Sequence, residues 1–146
     1  MRLAVPKESA SGERRVALVP EVVRKLSGRG IEILVQRGAG DGALIPDSAY
    51  ADAGATVSDD ESAIWGADAV VTIAPPDPGQ IARMREGALL IGFLQPLTSA
   101  PTAKAARDAK VTAIAMEAIP RISRAQSMDA LSSQANVAGY EAVVLA

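Results

Sequence analysis

The residues best suited to bind a polar ligand lie near the end of the sequence, in the segment from Arg121 to Asp129 and just after it. The segment leads into a stretch with helical spacing, for which Ser127 is the predicted N-cap and Asp129 lies in the first turn. Asp129 and Ser132 are one helical turn apart, so Arg121 and Gln126 can converge with them. Such a set can satisfy an amide on a planar ring and fix the ring's orientation. On chemistry alone, a capped and solvated helix start explains the same residues.

A second group of charged residues lies between the first predicted strand and the first predicted helix: Lys7, Glu8, Glu13 and Arg15. The loop after a parallel strand lies at the carboxyl edge of the sheet, where open α/β sheets bind ligands. These charges also fit a simpler hypothesis, an ion-paired loop in which Glu8 or Glu13 holds Arg15. Spacing alone favours the ion-paired loop.

Composition excludes several kinds of chemistry. The 146 residues include no Cys and no His, so disulfides, thiolate nucleophiles and histidine acid–base catalysis are excluded. The net charge of -2, with scattered Lys and Arg, gives no reason to expect a nucleic-acid partner. The longest apolar run, 88–94, is far below the roughly 18 residues that cross a bilayer, and no signal peptide is evident.

Short β-branched runs alternate with amphipathic stretches, which is typical of a βα repeat with a parallel sheet. Strands are predicted at 2–5, 31–36, 55–58, 68–73, 88–94 and 111–116, with the fourth as the central strand. Helices are predicted from Pro20 to Gly28, over 47–53, 62–66, 81–85 and 99–109, and from Ser127 onward. The predicted fold class is therefore α/β, a doubly wound and mainly parallel sheet of the Rossmann-like or flavodoxin-like kind, with about six strands.

The glycine-rich segment 38–42 follows a predicted strand and must be considered as a phosphate-binding loop. It lacks the G-x-G-x-x-G spacing, since position 43 is Ala, and no helix with a clear register starts there. We interpret it as a plain turn. No other dinucleotide fingerprint occurs in the sequence.

The last predicted helix ends on the apolar residues 143–146, without a capping Gly, Pro or basic residue. This pattern favours a chain cut within a longer helix, although a short terminal helix explains it too. We therefore expect two regions, an N-terminal α/β domain at 1–126 and the start of a bridging helix at 127–146. Why the chain ends at Ala146 is left open.

The charged loop resembles the N-terminal signature shared by alanine dehydrogenases and the NAD(H)-binding subunits of proton-translocating NAD(P) transhydrogenases. Its matching residues are Pro6-Lys7-Glu8, Glu13, Arg15-Val16-Ala17, Pro20, Val23 and Leu26. Gly12 and Val19 depart from the family pattern without breaking its frame. The later segment, 121–129 with 131–134 and 136–140, resembles the transhydrogenase version of that region. The resemblance covers essentially the whole chain.

The resemblance implies a function and a set of binding residues. In that family the matching positions Arg121, Gln126, Asp129 and Ser132 line the pocket for the nicotinamide of NAD(H), which they orient without acting as acids or bases. The implied enzyme transfers hydride between NADH on this subunit and NADP⁺ on a partner subunit, coupled to proton translocation through a membrane-spanning subunit. It also implies a homodimer that is cytoplasmic and peripheral to the membrane. The Rossmann domain that grips the rest of NAD is absent from this chain, so we expect the chain alone to be inactive.

Two other functions stay open. An alanine dehydrogenase-like enzyme needs a carboxylate-binding Arg, which Arg15 could supply, together with a Lys and a His. The segment 72–76 has no Lys, and Gln95 stands where that relative has its His, so reductive amination lacks a proton shuttle. The third candidate is a non-catalytic assembly domain. The roles of Arg15 and Lys7 are not settled by the sequence.

Overall fold

Six parallel strands form a single sheet in the computed structural model, which describes residues 1–146. The strands are β1 (Arg2–Val5), β2 (Glu32–Gln36), β3 (Thr56–Ser58), β4 (Ala69–Val71), β5 (Leu89–Gly92) and β6 (Thr112–Ala115). They lie in the order β3-β2-β1-β4-β5-β6, and every pairing is parallel. Strand order therefore reverses between β1 and β4, which lie at the centre of the sheet. The predicted α/β fold class and central strand are confirmed.

Six helices connect or follow these strands. They are α1 (Pro20–Ser27), α2 (Asp47–Asp52), α3 (Glu61–Trp65), α4 (Pro78–Ile81), α5 (Ala100–Asp108) and α6 (Ala130–Leu145). Single 3₁₀ segments occur at Asp41–Ala43, Met116–Ala118 and Ser123–Met128. No helix is both long enough and apolar enough to cross a lipid bilayer.

The helices cover both faces of the sheet, as a doubly wound fold requires. On one face, α3, α4 and α5 pack their buried residues, among them Trp65 and Ile81, against Val70 and Leu90. On the other face, α1 and α2 pack Val23 and Tyr50 against the remaining side chains of β1 and β2. Because Ala, Val, Ile and Leu fill most of both layers, the sheet needs few aromatic residues. Its carboxyl edge is free to carry ligand-binding loops.

Two predicted helix boundaries are wrong. The helix predicted at 81–85 lies nearer the N-terminus, at Pro78–Ile81, because Pro78 at a helix N-terminus starts the turn rather than breaking it. The Asp77 N–H donates to Gln80 Oε1 at 2.9 Å, which stabilises this start. The last helix is capped by Asp129, not Ser127, because the residues from Ser123 to Met128 form 3₁₀ turns.

Helix α6 leaves the sheet soon after it begins. Leu131 is partly buried, whereas every residue from Ser132 onward is exposed. Val137, Tyr140 and Leu145 are 64%, 72% and 78% exposed. The first turn of α6 is therefore the region that contributes to any site on this domain. The division into 1–126 and 127–146 stays a prediction.

Candidate functional site

A cleft lies at the carboxyl edge of the sheet, where β1 and β4 adjoin and strand order reverses. Its volume is about 270 Å³. The loop after β1 contributes Arg15, the loop after β4 contributes Pro75, and the loop after β5 contributes Phe93 and Gln95. Gln134 of α6 lines the remaining side. Open α/β sheets bind their ligands at such a reversal, because the two adjacent loops there diverge to opposite faces of the sheet.

Arg15 is fixed in this cleft by Glu13. Arg15 Nε donates to Glu13 Oε1 at 2.8 Å, and Nη2 donates to Oε2 at 2.6 Å, a bidentate pair. Glu13 Oε1 also accepts from the Arg15 backbone N–H at 2.9 Å. The hydrogen bonds from Arg15 lower the pKa of Glu13 from 4.5 to about 2. The loop is thus ion-paired, as one of the two sequence hypotheses predicted, and Glu13 is the partner.

Glu8 binds the loop after β4 instead of Arg15. Its Oε1 and Oε2 accept the backbone N–H groups of Ile73 and Ala74 at 2.6 Å and 3.0 Å. Burial raises the pKa of Glu8, and the two N–H donors oppose that shift. The carboxylate therefore ties the loop after β1 to the loop after β4 across the point of strand reversal. Both walls of the cleft are held by charged residues of the same loop.

A wider groove of about 750 Å³ adjoins the cleft on the side of α1. Most of its lining is apolar and includes Val16, Phe93, Met116 and Met128. Asp129 lies on its rim, at the start of α6. Small-molecule sites in proteins are commonly apolar with a few polar groups that fix orientation, and this groove has that character.

The structure brings Asp129 and Ser132 into direct contact. Asp129 Oδ1 accepts the Ser132 backbone N–H at 2.9 Å, and Oδ2 accepts the Ser132 hydroxyl at 2.5 Å. These hydrogen bonds, with a smaller contribution from the charge of Arg121, lower the pKa of Asp129. The carboxylate is thus an N-cap that stays ionised and keeps unused lone pairs toward the groove rim.

The other two predicted binding residues are less closely placed. Arg121 is near enough to influence the Asp129 charge but makes no side-chain hydrogen bond in the structure. Gln126 contributes its backbone carbonyl, which accepts the Asp129 N–H at 3.3 Å, while its side chain is exposed. Of the four predicted residues, only Asp129 lines the groove. Their joint role in binding stays a prediction.

Two glutamines that line the cleft were not predicted as site residues. Gln134 Oε1 accepts from Arg15 Nη1 at 3.0 Å across 119 residues of sequence. Gln95 has a positive φ of 51°, and its backbone N–H donates to the Glu117 carboxylate. Such backbone strain is frequent at functional sites. The one signal available for Gln134 was its place one turn after Leu131, on the face of α6 that starts against the domain.

The glycine-rich segment is a turn, as predicted, and its backbone is already engaged. The Gly38 N–H donates to Asp47 Oδ1 at 2.9 Å. A Cβ on Gly42 would lie 2.8 Å from the Arg14 carbonyl oxygen. Lys7 Nζ is 3.6 Å from the Asp41 carboxylate beside this turn. These glycines permit close packing between loops, and their N–H groups form no cradle for phosphate.

The fold and the cleft define a class: a doubly wound parallel α/β domain whose candidate ligand site lies at the reversal of strand order. Residues 4–138 match the family described as "Alanine dehydrogenase/PNT, N-terminal domain". The chain belongs to this family.

Within the family, the chain is similar to transhydrogenase subunits over 99% of its length. It is 49% identical to the first of the chains that make up the NAD(P) transhydrogenase alpha subunit of Rhodospirillum rubrum and covers 39% of that protein. It is 38% identical to the NAD(P) transhydrogenase subunit alpha of Haemophilus influenzae, of which it covers 28%. The alanine dehydrogenase of Bacillus subtilis is 35% identical over 95% of the chain, which covers 36% of that enzyme. The chain thus spans less than half the length of these relatives.

Solved structures agree with these matches. The transhydrogenase from Sinorhizobium meliloti superposes with a TM-score of 0.93 and 42% identity, over 99% of this chain and 43% of that one. An L-alanine dehydrogenase superposes with a TM-score of 0.77 and 32% identity, over 80% of this chain and 32% of that one. The family resemblance and the predicted fold class are confirmed.

Proposed function

We propose that this chain forms the N-terminal portion of the NAD(H)-binding subunit of a proton-translocating NAD(P) transhydrogenase. The observation that carries the proposal is the position of the segment from Arg121 to Ser132. This polar segment starts α6 at the carboxyl edge of the sheet, with Asp129 on the rim of an apolar groove. The full-length similarity to transhydrogenase alpha subunits supports the same assignment.

The residues at the groove suit the nicotinamide end of the cofactor. Apolar side chains such as Phe93 and Met116 can lie against a flat ring, while Asp129 can accept hydrogen bonds from a carboxamide. Arg121 and Gln126 can supply the donors that a carboxamide oxygen needs. Ser132 contributes by fixing the Asp129 carboxylate through its hydroxyl. In this proposal these four residues orient the ring.

Bound NAD(H) supplies the hydride chemistry, so no side chain of this chain has to act as an acid or base. Hydride transfer between two cofactors requires close approach and alignment of the donor and acceptor carbons. The chain contributes positioning, through the rigid carboxyl edge of the sheet and the capped start of α6. NADP(H) is bound by a partner subunit, and another partner spans the membrane and moves the proton. The subunit works as a homodimer that is held at the cytoplasmic side of the membrane through these partners.

The pyrophosphate and adenosine of NAD(H) do not fit the loops of this chain. The glycine-rich turn at 38–42 has the wrong spacing, and Gly38 donates its N–H to Asp47 rather than to solvent. A separate dinucleotide-binding domain must therefore hold that half of the cofactor. We expect the 146-residue chain on its own to bind NADH weakly. Calorimetry that measures micromolar affinity for the isolated chain would contradict this expectation.

An alanine dehydrogenase activity is the second candidate, because an enzyme of that name is 35% identical over 95% of the chain. Arg15 lines the cleft and could hold a carboxylate, but the cleft lining includes no Lys and no His. Proton transfer to and from ammonia and the imino acid then lacks a suitable group. The assay is NADH oxidation with pyruvate and ammonia by the complete protein, and we expect no turnover above background.

The experiment for the main proposal uses the assembled transhydrogenase. Gln126→Asn and Asp129→Asn should each lower the single-turnover rate of hydride transfer by about tenfold or more, because a misplaced ring reacts slowly. The affinity for NADH should change less than the rate. Asn136→Ala, an exposed amide on α6, is the matched control. Unaltered single-turnover rates in both variants would refute the assigned roles, and a wild-type complex without hydride transfer would refute the function.

A further inference from the structure

One hydrogen bond joins the loop after β1 to helix α6. Arg15 Nη1 donates to Gln134 Oε1 at 3.0 Å, although 119 residues separate the two side chains in the sequence. It is the one side-chain hydrogen bond that α6 makes to a residue outside itself and its N-cap. The contact therefore has a large share in deciding where α6 starts relative to the sheet.

The donor of this contact is held rigidly on its far side. Two nitrogens of the Arg15 guanidinium donate to Glu13 at 2.8 Å and 2.6 Å, and the Glu13 side chain is only 12% exposed. A planar guanidinium bound bidentately has little freedom to rotate, so its remaining nitrogen, Nη1, points in a fixed direction. Gln134 thus binds to a donor that is anchored in the loop at the reversal of strand order.

The acceptor lies close to the residues that the proposed function assigns to the ring. Gln134 follows Asp129 by five residues, a rise of about 7.5 Å along a helix, and follows Ser132 by two. A helix turn is stiff over this distance, so a shift at Gln134 moves Asp129 and Ser132 with it. Beyond Leu131, exposure of α6 leaves few apolar contacts to oppose such a shift.

We propose that Arg15 and Gln134 are positioning residues for hydride transfer, because their hydrogen bond sets the placement of the α6 turn that carries Asp129 and Ser132. This inference rests on the proposed function. Neither residue has to touch the cofactor. Glu13 belongs to the same device, since it fixes the guanidinium from behind.

The test replaces the acceptor in the assembled transhydrogenase. Gln134→Met has nearly the same length but accepts no strong hydrogen bond, whereas Gln134→Glu keeps an acceptor that suits a guanidinium even better. Asn136→Leu is the matched control, since it exchanges an exposed amide for an apolar side chain two residues further along α6.

We expect Gln134→Met to lower kcat for hydride transfer by about tenfold, with the KM for NADH changed less than about twofold, because alignment is lost and binding is not. Gln134→Glu should restore at least half of the wild-type kcat, and Asn136→Leu should leave it unchanged. A normal kcat in Gln134→Met, a defect confined to KM, or a Gln134→Glu variant as slow as Gln134→Met would each overturn the inference.

A second measurement separates this inference from the proposed function. Hydrogen exchange on the 146-residue chain needs no cofactor and reports how firmly α6 is held. Gln134→Met should increase exchange of the backbone amides between Ser133 and Val137 about fivefold, and Asn136→Leu should not. Faster exchange together with an inactive wild-type complex would retain the positional role of the contact and refute the function. Exchange equal to that of the wild type would refute the contact itself.

Discussion

Glu8 and Ile73 are in direct contact across the centre of the sheet: Glu8 Oε1 accepts the Ile73 backbone N–H at 2.6 Å, although 65 residues separate them. Glu8 Oε2 accepts the next N–H, that of Ala74, at 3.0 Å. Loops after β1 and β4 diverge at this point, so their relative position is not fixed by the strands alone. The carboxylate joins them and thereby sets the width of the cleft.

Glu8→Ala should loosen this junction. It leaves two partly buried N–H groups without acceptors, which we expect to lower the free energy of unfolding by about 1–2 kcal/mol. The direct measurement is hydrogen exchange of the Ile73 and Ala74 amides, whose protection should be lost, alongside urea denaturation. Glu86→Ala is the control, because Glu86 is exposed and pairs only with Lys110. Retained protection at Ile73 and Ala74 would show that the loop is held by something else.

Glu13 should make the stability of the domain depend on acidic pH. Its folded-state pKa is lowered from 4.5 to about 2 by Arg15, so its contribution is complete above about pH 4.5. The contribution is lost as the pH falls from about 4.5 to about 2, because the native state must then take up the proton. Since Arg15 is half-exposed and solvent screens the pair, we expect about 1–2 kcal/mol in total.

The measurement compares wild type with Glu13→Gln in denaturation experiments between pH 7 and pH 2. The difference in unfolding free energy should be constant above pH 5 and should approach zero near pH 2. In Arg15→Gln, NMR titration of the Glu13 carboxyl should show its pKa raised toward the ordinary range. A difference that does not change with pH would mean that the pair contributes little to folding.

Much of the fold could be predicted from the sequence, because local residue types determine it. The β-branched runs predicted all six strands to within a few residues, and Pro20 correctly marked the start of α1. The helix at 78–81 was misplaced because proline both breaks a strand and starts a helix, and local sequence does not say which. Ser127 was misassigned as the cap because it too has the right chemistry, while tertiary contacts place the turn at Asp129.

The site could be predicted only where its contacts are local. Asp129 and Ser132 are one helical turn apart, and the structure joins them as the spacing predicts. Gln134 meets Arg15 across 119 residues, a distance that no pattern in a single sequence reveals. The positive φ at Gln95 depends on its contact with Glu117, which lies in another loop. Long-range hydrogen bonds and backbone strain therefore cannot be read from local residue types.

Gly40 tests the packing of the glycine-rich turn. A Cβ there would meet the Ile45 carbonyl oxygen and lie 2.8 Å from the Tyr50 ring, and Tyr50 is fully buried. Gly40→Ala should therefore lower the unfolding free energy by about 2 kcal/mol, or Tm by about 5 °C. Gly79→Ala is the control, since a Cβ there meets nothing within 4 Å and Tm should be unchanged or slightly higher. A stable Gly40→Ala variant would mean that the turn can shift to make room.

Asp129 combines two roles that substitution can separate, because capping needs one carboxylate oxygen and the proposed ring contact needs the other lone pairs. Asp129→Asn keeps an oxygen that can accept the Ser132 N–H, so the start of α6 should persist in amide chemical shifts and hydrogen exchange. Asp129→Ala removes the cap, so the first turn of α6 should fray. Both variants should be slow in hydride transfer in the assembled enzyme, since both lack the charged acceptor. If Asp129→Asn were as fast as wild type while Asp129→Ala were slow, the residue would serve the reaction only by capping α6, and direct contact with the nicotinamide would be refuted.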